Sequence, residues 1–104
     1  MHPEPTQHEK NPKKGLNYIL QSGDVGPLIE GEIRLFGKTG PYDFPLDSPI
    51  FLFDFDFNVQ AAVEVQEYIQ SQNFTGGHYK VVKVYSGIEK EVLSRVYREL
   101  YGKI

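Results

Sequence analysis

Two carboxylates, Asp54 and Asp56, close the most apolar run in the chain, Ile50-Phe51-Leu52-Phe53-Asp54-Phe55-Asp56-Phe57. If that run is a strand, alternate side chains share a face, and the two acids stand about 6.5–7 Å apart at their Cα atoms. Carboxylates so placed could share a divalent cation or accept hydrogen bonds from a ligand's hydroxyl or amine. They could equally be solvated acids that keep a strand end from pairing with another chain. Asn58 follows at once, and a second polar group, Tyr85-Ser86-Gly87, precedes the last helical pattern. Backbone N–H groups at that helix start can cradle an anion such as a phosphate, and Gly87 allows close approach. Asp54, Asp56, Asn58, Tyr85, Ser86 and Gly87 therefore form the candidate ligand site, with Asp54 and Asp56 as candidate metal ligands. The chain has no cysteine, and its three histidines, His2, His8 and His78, are far apart in sequence. No nucleophile has an evident base, so no catalytic residue and no cofactor are assigned.

Over Ile50–Phe57 the chain resembles the first motif of haloacid-dehalogenase-type phosphatases, an apolar strand ending in Asp-x-Asp. The resemblance would make Asp54 the nucleophile and Asp56 the acid/base. The match ends there: Asn58 stands where that family has Thr or Val, and the remaining chain is too short for the later motifs. A phosphate loop is excluded as well. Gly37-Lys38-Thr39-Gly40 has five residues, not four, between Gly31 and Gly37, and Pro41 and Pro45 follow instead of a helix.

The elements that must position these residues follow from periodicity. Residues 1–14 hold three prolines, many charges and no apolar residue after Met1, which predicts a disordered tail before a single domain over 15–104. A first strand at 16–21 and a second at about 28–36 are expected to form an antiparallel hairpin, the second with Glu30, Glu32 and Arg34 on its wet face. Asn58 reads as the N-cap of a helix to about Gln72, with Ala61, Ala62, Val65, Tyr68 and Ile69 on its apolar face. A strand over 78–85 and a final helix, with Ser86 and Glu89 at capping-box spacing, complete the chain. Val92, Leu93, Val96, Tyr97 and Leu100 form that helix's expected core stripe. The predicted fold is α+β: a mixed sheet of about four strands, order β-β-β-α-β-α, with two helices packed on it and one βαβ unit. In such a unit Asp54, Asp56 and Asn58 would converge with Tyr85 and Ser86 at the carboxyl ends of parallel strands.

Composition bounds the partners. A formal charge of −3 weighs against a nucleic-acid binder, which would carry a basic stripe. No apolar run is long enough for a membrane span, and no secretory leader is evident, so a cytoplasmic protein is expected. The 41–49 stretch, PYDFPLDSP, sets Tyr42 and Phe44 among three prolines, which reads as an ordered loop lying over the sheet or, more sharply, as a rigid recognition loop. With Glu30 and Glu32 these are the candidate partner-binding residues. The leading reading is a small acidic, non-enzymatic interaction or regulatory module that binds protein. The alternative is a domain binding a small anionic ligand or divalent cation at the strand ends. Homo-oligomerisation is open to so small a sheet with free edges.

Overall fold

The computed structural model describes residues 16–23 and 25–102; the predicted tail and His2 and His8 lie outside them. Five strands carry the fold: β1 (Ile19–Gln21), β2 (Ile33–Thr39), β3 (Pro49–Phe53), β4 (Val59–Gln70) and β5 (Phe74–Val84). One helix follows, α1 (Gly87–Tyr97), which runs into a π-helical turn at Arg98–Gly102. The sheet order is β1-β3-β4-β5-β2. β3, β4 and β5 form an antiparallel meander, β2 joins β5 antiparallel, and β1 joins β3 in parallel.

The sheet is curled into a half-barrel. Laid flat, its two edge strands would stand about 19 Å apart, four strand spacings of about 4.8 Å. Yet the Lys38 ammonium on β2 donates to the Gln21 carbonyl on β1 at 2.7 Å. Register shifts at Leu52/Phe53, Ala62/Val63 and Val65/Glu67 supply the bend, because a bulge kinks its strand and increases the twist. Gly77 permits the tightest point of it. A Cβ there would overlap the Glu67 carbonyl oxygen and come 2.6 Å from the Tyr68 Cα, so only glycine fits.

The concave face holds the core: Leu20, Ile50, Leu52, Ala61, Val63, Val65, Tyr79 and Val81, closed by Phe44 from the 40–48 loop. Each Val, Leu, Ile or Phe side chain among these contributes about 1.5–3 kcal/mol when fully buried. On the convex face α1 covers an aromatic layer in which Tyr97 meets Phe51 and Phe53 at 5.5 and 4.8 Å between ring centres. Tyr101 stacks on Phe57.

The α+β expectation is therefore overturned: the molecule is mainly β, with one C-terminal helix and no βαβ unit. Residues 59–70 form a strand, not a helix, because Val59, Ala61, Val63 and Val65 alternate into the core between two flanking strands. The expected hairpin of the first two strands is also absent, since β1 and β2 occupy opposite edges. Residues 29–32 make a turn, closed by the Glu32 N–H on the Ile29 carbonyl, and the second strand starts only at Ile33.

Candidate functional site

The β3–β4 connection explains where the two acids go. The strand stops at Phe53, and Asp54–Asn58 is a tight turn with Phe57 in the left-handed region at φ 61°. The Asp54 carboxylate builds that turn. One oxygen accepts from the Asp56 and Asn58 backbone N–H groups at 2.9 and 2.8 Å, and the other accepts from the Asn58 side-chain amide at 3.1 Å. Asn58 also accepts a bond from Arg98, so it ties the turn to the C-terminal segment instead of capping a helix. Asp56 is exposed. Among the described residues no group of three or more potential metal ligands comes together.

Tyr85, Ser86 and Gly87 lie one strand away from this turn. The Tyr85 N–H donates to the Gln60 carbonyl, and the Tyr85 ring stands 6.0 Å from Phe51. The Ser86 side chain makes no cap bond, although its carbonyl accepts from the Lys90 N–H. Without a βαβ unit the two groups do not sit together at the ends of parallel strands. A cavity of about 430 Å³ does adjoin the acids, lined by Gly23, Val25, Gly26, Asp54, Phe55, Asp56 and Gln60.

In the proposed recognition loop the aromatic anchors turn inward, while Pro41, Asp43 and residues 46–49 are exposed. Phe44 is buried, donates its N–H to the Tyr68 hydroxyl at 3.1 Å and packs edge-on against Phe36 and Tyr68. Tyr42 stacks on Phe44 at 6.0 Å. Glu30 is exposed in the turn before β2, and Glu32 pairs with Arg34 at 3.3 Å.

Two features were not singled out from sequence. Lys38 spans the open seam, its ammonium 5.4 Å from the Tyr42 ring centre and 5.7 Å from that of Phe55. Burial lowers its pKa from 10.5. The second feature is the outer side of α1. Its inner side is anchored by Ser94, whose hydroxyl accepts from the buried Val59 N–H at 2.9 Å and donates to the Lys90 carbonyl at 2.6 Å. Ile88, Val92 and Val96, at i, i+4 and i+8, face away from the sheet and are 78, 48 and 45 % exposed. Leu100, in the π-helical turn, is exposed as well. Of the expected core stripe, Tyr97 packs on the sheet beside Ser94, while Val92, Val96 and Leu100 turn outward. The i, i+4 spacing was the available signal, but two adjacent stripes of α1 carry apolar residues and only packing chooses between them.

No protein-family model matches the chain, and no curated protein matches it. Among solved structures, the crystal structure of protein ytmB from Bacillus subtilis is similar, with a TM-score of 0.58 and 21 % identity over 68 % of this chain and 89 % of that one. At this identity the similarity shows the fold: a small curled-sheet domain.

Proposed function

We propose that the protein is a non-enzymatic interaction module that docks on another protein through the outer stripe of α1. The observation that carries this reading is the exposure of Ile88, Val92, Val96 and Leu100 on the side of the helix that the sheet does not cover. An i, i+4 ridge of this kind packs into the groove of another helix. Glu89 and Glu91 on α1 and Glu99 just beyond it are matched by Lys90, Arg95 and Arg98, so the rim of the stripe carries both signs. The partner that fits is a protein presenting an apolar helical groove with a mixed-charge rim.

A photo-crosslinking residue placed at Val92 should give discrete adducts in the native cell, lost when Val96→Glu is introduced. The same residue at Lys80, on the sheet, should give none. Adducts of equal yield at both positions, or none at Val92, would overturn the reading.

A second reading rests on the cavity beside Asp54 and Asp56, which is large enough for a small ligand or hydrated cation. A ligand at about 100 times its Kd adds about 2.7 kcal/mol of stability. Thermal melts with Mg²⁺, Mn²⁺, Ca²⁺ and a nucleotide panel should then shift in the wild type but not in Asp56→Asn. Flat curves would leave Asp56 a solvated surface acid.

A further inference from the structure

The two edges of the half-barrel differ. β1 is three residues long, whereas β2 is seven residues long and pairs on one side only, with β5. The phase of that ladder fixes which groups of β2 face outward. The Val81 N–H donates to the Glu32 carbonyl, so Glu32, Arg34, Phe36 and Lys38 bond toward β5. The N–H and C=O groups of Ile33, Leu35 and Gly37 then point to the open edge. No hydrogen bond from any other described residue reaches them. The same edge is apolar on its convex side. Ile33 is 52 % and Leu35 84 % exposed, beside a shallow groove of about 380 Å³ lined by Leu35, Ile69, Phe74 and His78 among others.

We propose that β2 pairs antiparallel with β2 of a second copy of this chain, across a two-fold axis at Leu35, to make one continuous sheet through two half-barrels. Three observations support a second copy: the phase permits the pairing, and charge and length favour this register over its neighbours. The first is hydrogen-bond phase. A two-fold at Leu35 sets Leu35 opposite its copy and Ile33 opposite Gly37, and these are the residues whose backbone groups face outward. Each pair then exchanges both of its bonds.

The second is charge. On the concave face this register sets Lys38 opposite Glu32 and Arg34 opposite Phe36. Shifting the axis to Phe36 would keep the hydrogen-bond phase but set Arg34 against Lys38, two like charges. Inward-pointing charges guard an edge against indiscriminate pairing, and here they leave one register open.

The third is length. An axis at Gly37 would oppose Ile33 to Pro41, which has no N–H to give. An axis at Ile33 would need residues 29–31 extended, and they form a turn. On the convex face the two Leu35 side chains meet and join the apolar grooves of both copies. This contact is separate from the α1 stripe, so either can fail without the other.

Sedimentation equilibrium of the full chain tests it. The wild type should show a concentration-dependent dimer. Leu35→Pro should be monomeric with an unchanged melting temperature, because proline on an edge removes only an outward N–H. Should Leu35→Pro lose its folded circular dichroism, cysteine variants decide. The chain has no cysteine of its own. The axis places the Leu35 Cα atoms about 5.5 Å apart, within reach of a disulfide. Mild oxidation should therefore link L35C into dimers much faster than I33C, whose residue faces Gly37. A wild type that stays monomeric up to about 1 mM, the Kd range of the weakest specific contacts, would overturn the proposal. So would a folded Leu35→Pro that still dimerises, or L35C that links no faster than I33C.

Discussion

At the scale of single residues, Asp54 has the most hydrogen-bonding work, and that work is structural. Its carboxylate accepts three bonds inside one turn. Asp54→Ala should cost about 1–2 kcal/mol, since it leaves backbone donors without a partner. In a domain of this size that lowers Tm by about 5–15 °C, readable in a thermal melt. Gly77→Ala should cost more, about 3 kcal/mol, because its Cβ would meet backbone atoms of Glu67 and Tyr68 that cannot swing aside. Gly76→Ala should be milder, since the atoms its Cβ meets first belong to the Phe74 ring, which can move. Two buried groups make stability depend on alkaline pH with opposite signs. Burial raises the Tyr79 phenol above 10.0, with Arg34 opposing and Glu32 adding to the rise. The unfolded chain then releases that proton first, and stability falls as pH climbs from 10.0 through the raised value. Burial lowers Lys38, so the unfolded chain holds that proton longer, and stability rises with pH through the lowered value toward 10.5. Melts from about pH 8 to 11 should show Tyr79→Phe flattening the alkaline loss and Lys38→Met deepening it.

At the scale of elements, α1 separates positions that hold the fold from positions that only face water. Ser94→Ala removes the hydroxyl that satisfies the buried Val59 N–H and should cost about 1–3 kcal/mol. Val92→Glu with Val96→Glu should cost at most about 1 kcal/mol per site, because each valine is already about half in water. Paired melts of the two variants check this contrast. Strand β4 shows why the element type was hard to read. Ala61, Ala62, Val65, Tyr68 and Ile69 satisfy helical spacing, and the segment is rich in Ala, Glu and Gln, which favour helices. Val59, Ala61, Val63 and Val65 satisfy strand spacing equally well. The bulge at Val65/Glu67 then breaks the alternation that would have identified the strand. Asn58 strengthened the misreading, since a good N-cap residue is also a good turn residue.

At the scale of the whole molecule, the half-barrel should open from its edges. β4 lies at the centre of the sheet and carries Val59, Ala61, Val63 and Val65 fully buried, so its amides should exchange slowest with deuterium. β1, three residues at an edge, should exchange among the first. Within β2 the amides of Arg34, Phe36 and Lys38 should be protected, and those of Ile33, Leu35 and Gly37 should gain protection only as the protein concentration rises. Uniform protection along β2 at high dilution would contradict the edge assignment.

The sequence by itself determined several things about this protein. It marked the 50–57 run as a strand, and only its first half, Ile50–Phe53, is one; Asp54–Phe57 belongs to the turn that follows. It located the start of the final helix, after Ser86, and excluded thiolate chemistry through the absence of cysteine. It did not decide which strands neighbour one another, because hydrogen-bonded ladders carry no label in composition and the parallel β1–β3 pair joins segments about thirty residues apart. The orientation of α1 and the role of Asp54 were likewise settled only in the folded chain. A stripe of valines is core or exterior according to what lies opposite it. A carboxylate is a ligand or a turn former according to whether its neighbours' N–H groups reach it first. Those N–H groups do reach Asp54, and no strand lies opposite Val92.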